Sequence, residues 1–210
     1  MVGIKGIENI LKAKDALDLK SLDPNKTVLI IIDVVNVFAK EGPMSSPRIT
    51  GIVPNIVGII KKVDKLGIQK LFFGDSHTEN SPEFDSYPVH CMVDTWESEV
   101  VDEIKELGGY RYIAKNSTNG FIEPEFQRWL DENGHVENFL VVGDCTDICI
   151  LQFTTTLKAY FNMKNQNRRV IVPIDGVDTY DADEHDGDIL HTMALYIMLI
   201  NGIEIVNSIN

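Results

Sequence analysis

The sequence is short of positive charge. Its 210 residues include 19 Lys and Arg against 32 Asp and Glu, which gives a formal net charge of −13 at pH 7. Proteins that bind nucleic acid use an excess of cations to displace the counterions of the phosphate backbone. The sequence therefore argues against a nucleic-acid partner.

Two further shortages narrow the class of protein. No stretch, including the N-terminal Met-Val-Gly-Ile-Lys-Gly-Ile-Glu, is apolar over the length that a signal peptide or a membrane span needs. The chain has only three cysteines, Cys91, Cys145 and Cys149, which is too few for a disulfide framework at this length. We therefore expect a cytoplasmic protein with no membrane partner, whose thiols are free for chemistry or packing.

The residues that are present fit one globular domain. At 44% hydrophobic and 24% charged residues, the chain can bury a sizeable core. Residues 1–25 are predicted to form an N-terminal arm with a short amphipathic helix that packs on the domain or contacts a second copy, and residues 26–210 form the domain itself. We expect a homo-oligomer.

Apolar segments alternate with helical patterns along the domain. Continuous β-branched and apolar runs predict strands buried on both faces at 27–33, 70–74, 110–114, 139–143, 169–174 and 203–206. Apolar residues at three- and four-residue spacing predict helices at 53–66, 96–107, 123–133, 147–162 and 185–200. The alternation predicts an α/β fold, a three-layer sandwich with a six-stranded parallel sheet of the Rossmann-like kind.

Chemically useful residues follow the predicted strands. Asp33, Asp75, Lys115 and Cys145 lie at or just past the C-terminal ends of four strands, the edge where parallel sheets bind ligands. Cys149 comes next, at the start of a helical segment, where the helix dipole and free N–H groups stabilise a thiolate. Taken alone, Cys149 is equally well explained as a small buried residue.

Asp33, Lys115 and Cys149 together suggest nucleophilic chemistry. A carboxylate can take the thiol proton and later protonate a leaving group. A nearby ammonium would lower the thiol pKa, keep the acid ionised and steer a carbonyl toward the sulfur. Each residue alone has an ordinary structural explanation, so the combination carries the prediction.

A second group of residues has the composition of a metal site. Asp75 and His77 are two apart on an extended segment and so share a face, and Glu83 and His90 follow in the next loop. An imidazole from that loop could complete a facial set of ligands. The spacing is also compatible with histidines that only cap loops.

From about residue 26 to residue 206 the chain resembles the isochorismatase-like cysteine hydrolases. The resemblance is carried by Asp33 in Ile-Ile-Asp-Val-Val-Asn-Val-Phe, Lys115 in Ala-Lys-Asn-Ser-Thr-Asn-Gly-Phe and Cys149 in Gly-Asp-Cys-Thr-Asp-Ile-Cys. It implies an amidohydrolase in which Cys149 attacks the carbonyl to form an acyl-enzyme, with Asp33 as acid and base and Lys115 as the electrostatic partner. It also implies an oxyanion held by the backbone N–H groups of Cys145 and Cys149, and a cis peptide bond between Asp144 and Cys145.

Within this family, the chain resembles the nicotinamidase-related branch. Those enzymes bind zinc or a similar divalent ion, and the resemblance implies Asp75, His77 and His90 as ligands here, with Glu83, or else Asp85, as the loop ligand. The metal there orients the substrate and does not activate the nucleophile. The implied substrate is a small amide, with nicotinamide, cleaved to nicotinate and ammonia, as the first choice.

Aromatic residues near these motifs could bind a flat substrate. Phe38 and Tyr87 are placed to stack on a ring, although either could be a core aromatic. The chain departs from the family pattern at Tyr87, where a Trp is usual, and at Val35 and Val37, which replace a Gln and an Asp. Asp144 adds a carboxylate that would raise the pKa of the nucleophile if it points inward.

Two other functions remain compatible with the sequence. One is a metal-independent member of the same family that acts on ureido or carbamoyl compounds. The other is a non-catalytic binding protein that uses Cys145 and Cys149 as a thiol pair. The acids between residues 175 and 186 fit a solvated loop and an acidic helix start better than a second metal site.

Overall fold

A sheet of six parallel strands forms the centre of the computed structural model, which describes residues 3–210. The strands are β1 Thr27–Ile32, β2 Gln69–Asp75, β3 Tyr110–Lys115, β4 Asn138–Gly143, β5 Arg169–Pro173 and β6 Glu204–Val206. They lie in the order β3-β2-β1-β4-β5-β6, and each neighbouring pair is parallel. The predicted sheet is confirmed, and the strand ends differ from the predicted ones by single residues.

Helices cover both faces of this sheet. They are α1 Ile4–Lys12, α2 Asn36–Ala39, α3 Pro47–Leu66, α4 Asp102–Lys105, α5 Pro124–Glu132, α6 Leu151–Met163 and α7 Gly187–Ile200. A π-helical turn at Thr146–Ile150 runs directly into α6. Within residues 3–210, no helix combines the length and the apolar character needed to cross a membrane.

Alternation along the strands builds two cores. Val28, Ile30 and Ile32 of β1 face one core, which also contains side chains of α1, α5, α6 and α7, whereas Leu29 and Ile31 face the other, with side chains of α3. The central strands β1 and β4 are buried along their whole length between two helical layers. This arrangement confirms the predicted three-layer α/β sandwich. The expectation of burial on both faces is wrong for the edge strand β3, where Arg111, Tyr112 and Ala114 are exposed.

Two helices differ from the prediction. The helix expected at 53–66 begins at Pro47, because Ser46 caps it and Pro47 occupies its first turn, where a missing N–H costs nothing. The prediction of one helix at 96–107 is wrong. That segment is a short 3₁₀ turn at Trp96–Ser98 followed by α4, and Asn36 binds the carbonyl oxygens of Trp96 and Glu99 that a longer helix would use.

The segment before β1 packs on the same chain. Ile7 and Leu11 of α1 are 5% and 6% exposed and belong to the core that includes α7. Leu17 forms a parallel bridge with Ile209, close to the end of the chain. The apolar face of α1 is thus largely covered within one molecule.

The strand order reverses between β1 and β4: β2 and β3 lie on one side of β1, and β4, β5 and β6 lie on the other. Parallel sheets bind ligands at such a switch point. Gly143 ends β4 with φ 125°, and a Cβ atom there would lie 1.9 Å from the carbonyl oxygen of Ile32. Only glycine lets the two strands approach so closely. Asp33, one residue after β1, has φ 58°, a left-handed conformation that Asp tolerates better than most residues.

Candidate active site

The carboxyl edge of the sheet brings the predicted residues together. Asp33 follows β1, Asp75 and Lys115 end β2 and β3 and are paired in register, and Cys149 lies in the π-helical turn after β4. Three of these side chains are at most 2% exposed and Cys149 is 7% exposed. The residues therefore meet in a buried site.

Lys115 is the centre of this group. Its Nζ lies 2.8 Å from Asp33 Oδ2 and 3.7 Å from Cys149 Sγ, and it also contacts Asp75 Oδ1. The backbone carbonyl of Ser117 accepts a further hydrogen bond from Nζ at 3.1 Å. Asp33 Oδ1 accepts a bond of 3.0 Å from the backbone N–H of Asp75, which fixes that carboxylate. One ammonium thus holds two acids and a thiol.

Burial is the largest single influence on the pKa of Asp33, Lys115 and Cys149. It raises the pKa of Asp33 to about 7, with a further rise from Asp75, while Lys115 opposes both. Burial also raises the pKa of the Cys149 thiol well above its usual range, and Lys115 lowers it only in part. The two acids in turn outweigh burial at Lys115 and raise its pKa well above normal. The sequence suggested a thiol pKa lowered by Lys115. Lys115 does act in that direction, but burial has the larger effect on the pKa of Cys149.

The chain around Cys149 has the geometry expected of an oxyanion site. The peptide bond between Asp144 and Cys145 is cis, as the family resemblance implied. Cys145 is the N-cap of the π-helical turn, and Cys149 is the fourth residue of that turn. The N–H of Ile150 donates to the carbonyl oxygen of Cys145 at 3.1 Å, so the turn closes one residue later than an α-helix does. The N–H of Cys149, which would bond five residues back, therefore has no carbonyl partner further back in the turn. The backbone N–H groups of these two residues are therefore available to stabilise negative charge on an oxygen.

A second group of ligand-type atoms lies beside Lys115. One atom from each of Asp75, His77, Glu83 and His90 lies within 4.8 Å of the others. His77 Nε2 is 3.6 Å from Asp75 Oδ1 and 3.8 Å from Glu83 Oε1, and His90 Nε2 is 3.6 Å from Asp75 Oδ2. Asp85, the other candidate for the loop ligand, is exposed and lies outside the cluster.

This cluster fits a divalent cation. His77 is fully buried, yet its Nε2 finds no hydrogen-bond partner among residues 3–210. Two imidazole nitrogens and two carboxylate oxygens form a donor set that zinc accepts. The separations of 3.6 to 3.8 Å are too long for hydrogen bonds but leave room for an ion between the four side chains.

The predicted aromatic residues line the cavity at this site. The cavity has a volume of about 20 Å³ and is bordered by Phe38, Tyr87 and Cys149, which is room for about one water molecule. A larger cavity of about 300 Å³ lies outside it, and Met44 and Tyr87 border both. Met44 could not be predicted from the sequence, because a methionine in a loop rich in Gly and Pro carries no signal of a binding role.

Asp144 points inward and is completely buried. Burial, followed by the charges of Asp33 and Asp75, raises its own pKa well above the usual range. After burial, Asp144 is the largest cause of the raised pKa of the Cys145 thiol. The carboxylate of Asp144 thus raises the pKa of the adjacent Cys145 thiol most directly.

The acids after β5 bind an arginine, a partner that lies 130 to 140 residues away in the sequence. Arg48 at the start of α3 donates hydrogen bonds of 2.7 Å to both Asp178 and Asp188, and one of 2.9 Å to the carbonyl oxygen of Thr179. His185 contacts Asp147 at 2.9 Å. These contacts attach the loop between β5 and α7 to the rim of the site.

Comparison with known proteins places this arrangement in a family. A family model of the isochorismatase domain matches residues 27–201. The chain belongs to the isochorismatase family. This isochorismatase-family chain is 27% identical over 216 residues to nicotinamidase 1 of Arabidopsis thaliana, a match that covers 87% of this chain and 86% of the plant protein.

Solved structures share the isochorismatase-family fold. N-carbamoylsarcosine amidase of Thermoplasma acidophilum superposes with a TM-score of 0.71 at 25% identity, over 86% of this chain and 95% of that one. A pyrazinamidase of Pyrococcus horikoshii in complex with zinc gives a TM-score of 0.70 at 24% identity, over 86% of this chain and 98% of that one. The predictions of the family, the fold and a hydrolase acting on carbon–nitrogen bonds other than peptide bonds are confirmed.

Proposed function

We propose that this isochorismatase-family hydrolase is a nicotinamidase-like amidohydrolase with Cys149 as its nucleophile. The observation that carries the proposal is the position of Lys115 Nζ, 2.8 Å from a carboxylate of Asp33 and 3.7 Å from the sulfur of Cys149. An acid, a cation and a thiol in contact within a buried site supply the groups that acyl transfer needs.

In the first half of the reaction, the sulfur of Cys149 attacks the amide carbon while Asp33 takes the thiol proton. The carbonyl oxygen becomes negative and is stabilised by the backbone N–H groups of Cys145 and Cys149. Asp33 then gives its proton to the nitrogen, the carbon–nitrogen bond breaks and ammonia leaves. The acyl group remains on Cys149 as a thioester.

The second half repeats these steps with water. Asp33 takes a proton from a water molecule, whose oxygen attacks the thioester carbon. The carbon–sulfur bond breaks, the carboxylic acid leaves, and the thiolate of Cys149 regains a proton from Asp33. Lys115 stays charged throughout, so it stabilises the thiolate and holds the carboxylate of Asp33 in place.

Asp75, His77, Glu83 and His90 are proposed to hold a zinc or similar divalent ion. The zinc complex of the pyrazinamidase from P. horikoshii supports this part of the proposal, together with the cluster of donor atoms in this chain. When bound, such an ion supplies a Lewis acid that orients a ring nitrogen or a water molecule next to the amide. Phe38 and Tyr87, whose rings lie 5.7 and 6.3 Å from that of His90, would then border a flat ring.

A second candidate is hydrolysis of carbamoyl compounds without a metal. It is favoured by the likeness to the N-carbamoylsarcosine amidase of T. acidophilum, which is 25% identical with a TM-score of 0.71. The acid, lysine and cysteine would act in the same way on either class of substrate. The buried metal-type cluster favours the first candidate.

Ammonia release separates these two candidates. Wild-type protein is stripped with a chelator, and half of it is reloaded with Zn²⁺. Each half is then assayed with nicotinamide and with N-carbamoylsarcosine. We expect turnover of nicotinamide by the reloaded half only. Turnover of N-carbamoylsarcosine by the stripped half, with none of nicotinamide by either, would instead establish the second candidate.

We further propose a cytoplasmic, self-associating enzyme in which residues 1–25 form a packing arm. The three cysteines are free, as thiols are in a reducing compartment, and Ile7 and Leu11 pack into the core of their own chain. Light scattering of the full chain gives its mass in solution, and a monomer at micromolar concentration would contradict self-association.

A further inference from the structure

Asn116 connects the active-site lysine to the proposed metal cluster. It follows Lys115 directly, and its backbone N–H donates a hydrogen bond of 3.0 Å to Glu123 Oε1. Its side-chain Oδ1 lies 3.2 Å from the backbone nitrogen of Thr78 and 3.3 Å from His77 Nδ1. The side chain thus bridges the end of β3 and the loop after β2.

These two contacts set the tautomer of the neutral His77 ring. The backbone N–H of Thr78 can only donate, so the Asn116 atom that faces it must be the oxygen. That oxygen can only accept, so His77 Nδ1 must carry the hydrogen that faces it. A neutral imidazole has one protonated nitrogen, which leaves the lone pair on Nε2.

The lone pair on Nε2 is directed into the metal cluster. Nε2 is buried and has no hydrogen-bond partner in the described part of the chain. It is 3.6 Å from Asp75 Oδ1 and 3.8 Å from Glu83 Oε1. A protonated Nε2 would be expected to lie closer to one of these acceptors.

The same tautomer is set in His90 by a backbone carbonyl. Its Nδ1 lies 2.7 Å from the backbone carbonyl oxygen of Pro88, which can only accept. In the neutral ring its Nε2 therefore also carries the lone pair, and this atom lies 3.6 Å from Asp75 Oδ2. The main chain sets the tautomer of His90, whereas a replaceable side chain sets that of His77.

We propose that Asn116 is a positioning residue that holds His77 in the tautomer with a free Nε2 lone pair and so prepares the cluster to bind a divalent ion. The inference rests on the proposed metal site and assigns a role to a residue outside the ligand set. Replacing a residue that orients a ligand in this way typically weakens metal binding by about 10- to 100-fold.

The tautomer is measured in the metal-free protein. A long-range ¹H–¹⁵N correlation spectrum of wild-type protein, with His77 assigned by its absence in His77→Gln, is expected to show Nδ1 protonated and Nε2 unprotonated. In Asn116→Ala this pattern is expected to give way to the other tautomer or to exchange between the two. A wild-type His77 protonated at Nε2 would overturn the inference, whether or not the protein binds metal.

Zinc affinity is the second readout. Competition with a chromophoric chelator should show binding about 10- to 100-fold weaker in Asn116→Ala than in wild type. Asn116→Asp keeps an oxygen facing both N–H groups and is expected to bind zinc at least as tightly as wild type. Asn138→Ala removes hydrogen bonds to Thr27 and Lys26 at the opposite end of the sheet and serves as the matched control.

The results distinguish a failure of the proposed metal site from a failure of the role assigned to Asn116. Wild-type protein that binds no zinc would contradict the metal site, and the tautomer would still decide the role of Asn116. Wild-type protein that binds zinc, together with Asn116→Ala of equal affinity and unchanged His77 spectrum, would overturn the inference alone. A lower melting temperature of Asn116→Ala without a change in affinity or tautomer would show a merely structural residue.

Discussion

Replacing Lys115 by methionine tests the electrostatics of the site. The ammonium is fully buried, 2.8 Å from Asp33 Oδ2 and in contact with Asp75. Methionine has a similar length and no charge, so Lys115→Met leaves two buried carboxylates without their cation. Removing one partner of a buried ion pair typically costs about 3–5 kcal/mol. We expect a loss of that size in the free energy of unfolding, measured by urea denaturation of metal-free protein at pH 7.

Lys70→Met is the matched control. Lys70 is also buried, at 5% exposure, but the side chain of its partner Asp64 is 40% exposed, so water can solvate that carboxylate when the cation is lost. The control should therefore lose at least about 2 kcal/mol less than Lys115→Met. Adding Asp33→Asn to Lys115→Met should recover part of the loss. Equal losses for the two lysines, or no recovery, would refute the electrostatic reasoning.

Three further predictions follow from other parts of the molecule. Burial raises the pKa of Asp144, so the folded chain keeps a proton that the unfolded chain releases above about pH 4, and stability should fall with rising pH by up to about 1.4 kcal/mol per unit. Asp144→Asn should therefore be more stable than wild type at pH 7.5, by a margin that shrinks toward pH 5.5 in urea titrations; parallel curves would contradict this. Arg48→Ala should lose about 1–3 kcal/mol in the same assay, because it breaks the hydrogen bonds to Asp178 and Thr179, and Arg48→Lys should not restore them since lysine lacks the fork of donors. Met44→Ala should join the two cavities that Met44 borders and shift kcat/KM by about tenfold toward amides bulkier than nicotinamide, and an unchanged ratio would show that Met44 does not limit access.

The sequence predicted the sheet and the positions of the main site residues because their signals are local. The central strands are short, continuous β-branched or apolar runs, and the chain order of strands and helices leaves few topologies. Asp33, Asp75 and Lys115 stand directly after such runs, so a parallel sheet must bring them to one edge. Cys149 required only the further prediction of a helix start after β4.

Other features depend on contacts between distant segments. Asn36 binds the backbone of Trp96 and Glu99 and so interrupts the predicted helix, a contact that no local pattern reveals. The same holds for Asn116, whose bonds to His77 and Thr78 join separate loops. The pKa of Cys149 also depends on burial, which outweighs the charge of the neighbouring lysine.

The central claim is that Cys149 forms the acyl-enzyme. Its most direct test compares ammonia release from nicotinamide by zinc-loaded wild type, Cys149→Ala and Cys145→Ala. Both cysteines are buried and free, but only Cys149 has its sulfur 3.7 Å from Lys115 Nζ, and Cys145 is proposed to act through its backbone N–H. We predict a loss of kcat of about a thousandfold or more for Cys149→Ala and retention of most of the activity by Cys145→Ala. Full activity of Cys149→Ala, or equal losses in both variants, would contradict the account.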